Sequence, residues 1–149
     1  MPKIKIYNVN SESEQLKLFV NLAVKYQDDW NELINYFSDF EEIFKFTIAK
    51  YTREEGEQIL RPKYYYQVGG DCDDQFIFLT SLLLWFGIRP ENIYLALASW
   101  NNGETFEHVY AMFKQNRAIY SLDALPENEL GKVAHLKRIV RYWPITEFV

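Results

Sequence analysis

The order of apolar and polar residues changes once along the chain, from a helical repeat to the alternation of a β-strand. Before residue 70, apolar residues recur three and four positions apart, as on one face of an α-helix. This spacing predicts helices over residues 12–27, around 30–37 and after Asp39, although 47–51 is equally compatible with a strand. After residue 90 the repeat becomes two, which predicts strands over 93–98, 105–114, 118–123 and 138–143. Helices followed by antiparallel hairpins are typical of the α+β class.

Two further signals lie near the N-terminus. A weak alternation over residues 4–9 predicts a short edge strand. The segment Ser11-Glu12-Ser13-Glu14 predicts a capping box at the start of the first helix.

The most apolar segment is a predicted central helix that begins at Gly69-Gly70-Asp71-Cys72-Asp73-Asp74. Its apolar residues from Phe76 to Phe86 cover every side of the helix, which is typical of a helix buried in a core. Asp71 is the predicted N-cap residue, and Asp74 occupies the position of the acid in a capping box. Cys72 therefore falls in the first turn, where free N–H groups and the helix dipole favour a thiolate.

Two hairpin signals predict how the strands pair. Asn101-Asn102-Gly103-Glu104 is typical of a type I′ turn, and Gln115-Asn116 predicts a second two-residue turn. With that second turn, His108 lies directly opposite Asp123 on one face of the sheet. A carboxylate bonded to one imidazole nitrogen leaves the other nitrogen to face a nucleophile. Because the central helix must pack on this sheet, the pattern predicts a site made of Cys72, His108 and Asp123.

Each of these three residues also has an ordinary structural explanation. A lone cysteine is usually a small buried apolar residue, His108 could be a hydrogen-bonded residue of its strand, and Asp123 could form a turn. The acidic residues around the cysteine disfavour a thiolate; they are Asp71, Asp73 and Asp74. A fold without catalysis therefore stays open beside the catalytic site.

Composition narrows the choice of partners and cofactors. The 149 residues carry a net charge of −5, with 48% apolar and 17% aromatic residues, so we expect one packed domain without a basic surface for nucleic acid. One cysteine and two histidines without ligand spacing predict no metal, no cofactor and no intramolecular disulfide. The second histidine, His135, is expected to be a surface or packing residue.

The chain also lacks the signals of a membrane or secreted protein. No leader-like apolar segment follows Met1, and the run from Phe76 to Phe86 is too short to span a bilayer. We therefore expect a cytoplasmic protein with no membrane partner.

Several segments appear in an order that is typical of one protein family. Gly-Asp-Cys-Asp-Asp around Cys72 is followed by a long apolar helix, by His108-Val109-Tyr110 and by Tyr120-Ser121-Leu122-Asp123. Together they resemble the transglutaminase-like superfamily, a branch of the papain-like cysteine-protease fold. The segment from Gly56 to Pro62 resembles the approach to the cysteine in bacterial and phage members. The resemblance covers residues 53–125 of a predicted single domain, 1–149, in which residues 1–52 are a helical part without a match.

The resemblance implies acyl transfer at an amide bond of a peptide or protein, either to water or to another amine. Cys72 would be the nucleophile, His108 the general base and then acid, and Asp123 the residue that orients the imidazole. The backbone N–H of Cys72 would hold the oxyanion together with a second donor, for which Gln67 is the candidate. Many members have Pro and Thr after the aspartate, where this chain has Ala124-Leu125-Pro126.

The alternative is a catalytically silent module of the same fold. Such a module would act in a larger protein assembly, for example as a structural component of a phage virion. The small size of the chain and the acidic residues around Cys72 favour this alternative.

Overall fold

Five α-helices precede a four-stranded antiparallel sheet in the part of the chain that the structure describes. The structure is a computed structural model, and it describes residues 13–52, 59–125 and 139–149. The helices are α1 (Ser13–Lys25), α2 (Trp30–Leu33), α3 (Phe40–Ala49), α4 (Pro62–Val68) and α5 (Cys72–Trp85). The strands are β1 (Ile93–Ser99), β2 (His108–Gln115), β3 (Ala118–Leu122) and β4 (Ile139–Pro144). This arrangement confirms the predicted α+β class.

The first helix buries one side of its surface, as the spacing of its apolar residues predicts. The buried residues of α1 are Leu16, Phe19, Val20 and Ala23. Two N-terminal predictions, the strand over residues 4–9 and the capping box that begins at Ser11, lie outside the described residues.

The segment 47–51 is mostly helical, so the alternative of a strand there is wrong. Asp39 caps α3, because its Oδ1 accepts a hydrogen bond from the backbone N–H of Glu42 at 2.8 Å. The hydroxyl of Thr47 donates to the carbonyl oxygen of Ile43 at 2.8 Å, within the helix. A β-branched residue that favours strands in isolation is thereby accommodated in the buried face of α3.

The sequence analysis missed helix α4, which an ion pair holds in place. Pro62 begins the helix, where the N–H that proline lacks would have no partner. Just before it, the Nε and Nη2 atoms of Arg61 donate to the carboxylate of Asp29 at 3.0 and 2.5 Å. The guanidinium of Arg61 also lies over the ring of Tyr26, 4.1 Å from its centroid. These contacts tie α4 to the 3₁₀ turn that precedes α2.

Helix α5 lies at the centre of the core, as predicted. It is buried from Cys72 to Leu83 and packs against α1, α4 and β2. The indole N–H of Trp30 donates to the hydroxyl of Ser81 at 2.9 Å and to the carbonyl oxygen of Phe78 at 3.2 Å, so the buried indole N–H is paired against the helix. Among the described helices, none combines the length and the apolar character needed to cross a membrane.

The sheet has the strand order β3-β2-β1-β4, and every neighbouring pair is antiparallel. The predicted meander therefore holds for β1 to β3, whereas β4 returns to pair with β1 at the other edge. Residues on the side of the helices join the main core; they include Leu95, Leu97, Val109 and Ala111. The opposite face carries a smaller cluster of buried residues, namely Ala96, Ala98, Tyr110 and Met112.

The connection between β1 and β2 is longer than the predicted two-residue turn. Ala98 pairs with His108, so residues 99–107 lie between the last paired positions, and β2 begins three residues later than predicted. The side chain of Asn101 holds this loop together: its Oδ1 accepts from the hydroxyl of Ser99 at 2.7 Å and from the N–H of Thr105 at 3.0 Å. Hydrogen bonds to the side chain of Asn101 thus take the place of the backbone hydrogen bonds that a two-residue turn would have between the strands.

The turn between β2 and β3 lies one residue later than predicted. Gln115 pairs with Ala118, so the turn residues are Asn116 and Arg117, with φ of 53° and 68°. Two positive φ values are typical of a type I′ turn, which matches the twist of the two strands. The predicted turn at Gln115-Asn116 is therefore wrong, and each residue of β2 faces a partner two positions further along β3.

Candidate active site

The two glycines before the cysteine allow a close contact between chain segments. The N–H of Gly70 donates to the carbonyl oxygen of Lys50 at 3.2 Å, and the N–H of Thr52 donates to the carbonyl oxygen of Gly70 at 2.7 Å. A Cβ atom on Gly70 would lie 2.4 Å from Oδ2 of Asp74, which is far below van der Waals contact. Glycine at position 70 therefore allows the chain to pass directly beside the first turn of α5.

A reciprocal capping box begins α5. The side chain of Asp71 accepts hydrogen bonds from the backbone N–H groups of Asp73 and Asp74. In return, Oδ2 of Asp74 accepts from the N–H of Asp71 at 3.1 Å, and its Oδ1 accepts from the N–H of Leu60 at 2.7 Å. Asp71 and Asp74 are both buried, so their carboxylates serve the backbone at the positive end of the helix.

His108 and Asp123 form a buried hydrogen-bonded pair. Nε2 of His108 and Oδ1 of Asp123 are 2.5 Å apart, and both side chains are buried. They are not directly opposite each other as predicted, because the turn lies one residue later. The resulting shift of two positions keeps both residues on the same face and makes them diagonal neighbours, which are still within reach of a histidine and a carboxylate.

The imidazole of His108 lies on the face of the sheet away from the main core. It alternates with Val109, which packs on the helix side, and its ring stacks with that of Tyr110 at a centroid distance of 5.7 Å. The indole of Trp100 lies 5.8 Å away on a tilted plane. His108 is the first residue of β2 and Cys72 the first residue of α5, and the two side chains interact.

The surroundings of His108 favour its protonated form. Burial has the largest single effect and lowers the pKa of the imidazole, whereas the negative charge of Asp123 raises it. Hydrogen bonds to Asp123 and Cys72 act in the same direction, and together they raise the pKa of His108 to about 10. Since Nε2 is bonded to Asp123, Nδ1 is the nitrogen left for the thiol.

The thiol of Cys72 lies between the imidazole of His108 and the carboxylate of Asp73. It contacts His108, and its Sγ also donates to Oδ1 of Asp73 at 3.8 Å. Only 1% of the residue surface of Cys72 is exposed. The structure therefore brings together the three predicted residues and adds the buried carboxylate of Asp73 beside the thiol.

The other predicted site residue, Gln67, lies elsewhere. Its side chain is exposed on α4 and lines a surface cavity together with Asp29, Arg61 and Tyr66. No described contact joins Gln67 to Cys72, and its role as an oxyanion donor stays a prediction. The second histidine, His135, lies outside the described residues.

A buried amide near the thiol was missed by the sequence analysis. Gln75 is 3% exposed and hydrogen-bonds to the backbone next to Asp123. Its sequence signal was its position, because it is a polar residue one turn after Cys72, just before the apolar run of α5 begins. As for metals, residues 13–52, 59–125 and 139–149 contain no group of three or more His, Cys, Asp or Glu side chains arranged to hold an ion.

Comparisons with known proteins give one similar structure. No protein-family model matches the sequence, and no curated protein matches it. The calcium-bound structure of LapG from Legionella pneumophila is similar to this chain, with 17% sequence identity over 84% of this chain and 81% of LapG. The TM-score of that superposition is 0.44.

Proposed function

We propose that this protein is a cysteine-dependent enzyme of acyl transfer at amide bonds, with a papain-like core and Cys72, His108 and Asp123 as its catalytic residues. The observation that carries the proposal is the buried pair of His108 and Asp123, with Cys72 close enough to raise the pKa of His108. Nucleophile, base and orienting carboxylate are the three groups that thiol-based amide cleavage requires. Peptides or proteins are the proposed substrates.

The first chemical step forms a thioester. The step starts from the pair of a Cys72 thiolate and a His108 imidazolium, in which Nδ1 carries the proton that the thiol has given up. The thiolate attacks the amide carbonyl carbon, so that a C–S bond forms and the carbonyl π electrons move to oxygen. The N–H groups at the start of α5, including that of Cys72, are suited to hold this oxyanion. As the tetrahedral intermediate collapses, the C–N bond breaks and Nδ1 of His108 returns its proton to the leaving amine.

The second step releases the acyl group. Nδ1 of His108 takes a proton from water or from an amine, whose oxygen or nitrogen attacks the thioester carbonyl. The C–S bond then breaks, and the thiolate of Cys72 is restored beside the protonated imidazole. Asp123 stays ionised throughout, because its task is to hold the imidazole and stabilise its positive charge.

A catalytically silent module in a protein assembly is the second candidate function. One observation favours it: Cys72 is 1% exposed, and its thiol contacts the buried carboxylate of Asp73. A buried thiol beside a carboxylate is typical of a structural cysteine. The two candidates differ in a single measurable property, which is the reactivity of Cys72 in the folded protein.

Labelling of Cys72 with iodoacetamide from pH 5.5 to pH 9 tests the proposal. An ordinary thiol is almost entirely protonated at pH 6, so a thiolate paired with imidazolium is expected to react roughly 10- to 100-fold faster there than the cysteine of the urea-unfolded chain. His108→Gln should remove that advantage, and Cys72→Ala should abolish labelling. His135→Gln, which changes the other histidine of the chain, is the matched control and should label like wild type.

The opposite result would support the silent module. If the folded wild-type protein labels more slowly than the unfolded chain at every pH, and His108→Gln does not change the rate, then the site is not activated. Circular dichroism of each variant establishes that the rates refer to folded protein.

A further inference from the structure

Gln75 links three parts of the fold through one buried side chain. It lies one turn after Cys72 in α5 and is 3% exposed. Its Nε2 donates one hydrogen bond to the carbonyl oxygen of Thr47 at 3.0 Å and another to the carbonyl oxygen of Ala124 at 3.2 Å. Both amide protons are therefore used, one toward the end of α3 and one toward the residue that follows Asp123.

This second bond acts where the sheet no longer holds the chain. β3 ends at Leu122, so Asp123 and Ala124 lie beyond the last ladder pair. Asp123 must nevertheless keep its carboxylate 2.5 Å from His108. A hydrogen bond to the carbonyl of Ala124 restricts the backbone one residue after Asp123, and it does so from the same helical turn that carries Cys72.

We propose that Gln75 is a positioning residue that fixes Asp123, and through it His108, relative to the thiol of Cys72. This positioning role rests on the proposed function only for its expected effect on catalysis by Cys72. Because residues 72 and 75 lie on one face of α5, a single side chain sets the distance between the nucleophile and the loop that carries the carboxylate. Gln75 itself touches none of the reacting atoms.

A neighbouring tyrosine offers a matched control. The hydroxyl of Tyr65 donates to the same carbonyl oxygen of Thr47 at 2.7 Å, and burial raises the pKa of Tyr65, so the hydroxyl stays a donor. Tyr65→Phe removes one buried hydrogen bond of this network without touching the Ala124 bond. Gln75→Met keeps the volume of the side chain and removes both of its bonds.

The experiment measures the titration of the His108 ring by NMR in the full chain, together with the rate of Cys72 labelling by iodoacetamide. In Gln75→Met the His108 pKa is expected to fall by about one pH unit or more, since Asp123 is no longer held against the ring. The labelling rate at pH 6 is expected to fall about tenfold. Tyr65→Phe is expected to lose stability but to keep the wild-type titration and labelling rate.

The outcomes separate this proposal from the proposed function. A wild-type titration of His108 in Gln75→Met overturns the positioning role, whether or not Cys72 is reactive. A lowered His108 pKa in Gln75→Met with an unreactive wild-type thiol supports positioning and overturns catalysis. If Gln75→Met does not fold, Gln75→Asn takes its place, because it keeps the amide but is one methylene too short to reach both carbonyl groups; the same two criteria then apply.

Discussion

The buried pair of His108 and Asp123 should make the folded protein less stable as the pH rises above neutral. The pKa of His108 is about 10 in the folded protein and near 6.5 in the unfolded chain. Below pH 6.5 both states bind the proton, and the full stabilisation by the pair is present. Between pH 6.5 and 10 only the folded state binds it, so a rise in pH favours unfolding.

The size of this effect follows from proton linkage. One proton bound only by the folded state changes the free energy of unfolding by about 1.4 kcal/mol for each pH unit. With Cys72 replaced by alanine, so that no thiol titrates beside the ring, the protein should therefore lose about 2.5 kcal/mol from pH 7 to pH 9 relative to the same protein with His108→Gln. Groups that titrate in both proteins, such as surface lysines, cancel in this difference.

Urea unfolding at pH 7, 8 and 9 of Cys72→Ala and of Cys72→Ala/His108→Gln measures this difference. Asp123→Asn is the second variant: it removes the charge that raises the histidine pKa, so the pH dependence that is due to His108 should disappear in it. A difference between Cys72→Ala and Cys72→Ala/His108→Gln that stays constant from pH 7 to pH 9 would refute the reasoning, because it would mean that the folded protein holds no additional proton on His108.

Two further predictions concern the backbone. Arg117 lies at the second position of the β2–β3 turn with φ of 68°, so Arg117→Gly should raise the free energy of unfolding in urea by about 0.5–1 kcal/mol. With a turn at Gln115-Asn116, residue 117 would belong to the strand and glycine would lower stability instead, so the sign of the change tests the register. Gly70→Ala should lower the free energy of unfolding by about 1–3 kcal/mol, because its Cβ would meet the Asp74 side chain at 2.4 Å; a wild-type stability would contradict that close contact.

Local signals were enough to predict the elements whose start and burial are encoded within their own segment of the sequence. Helix α5 is apolar on every side and begins at a capping box, and both properties are encoded within the segment from Asp71 to Trp85. The cap of α3 at Asp39 follows from the same kind of short-range hydrogen bond. The periodic strands could be predicted for the same reason, because a strand with one face on the core alternates in polarity.

The register of the second hairpin could not be predicted from the sequence, because two adjacent turns were compatible with it. Both turns contain Asn116, which tolerates a positive φ. The observed turn also requires a positive φ at Arg117. The prediction that His108 and Asp123 share a face survived this error, since side chains on a strand repeat every two residues and the register differed by two.

The types of residue in the site and the order in which they occur were thus present in the sequence, while their mutual placement depended on contacts between distant segments. The burial of Cys72, its interaction with His108 and the bond from Gln75 to Ala124 join parts of the chain that periodicity and capping do not relate. Periodicity reports which face of an element is buried, but it carries no information about which other element covers that face. Only the packed fold decides how far the nucleophile lies from its base and how well the carboxylate is held.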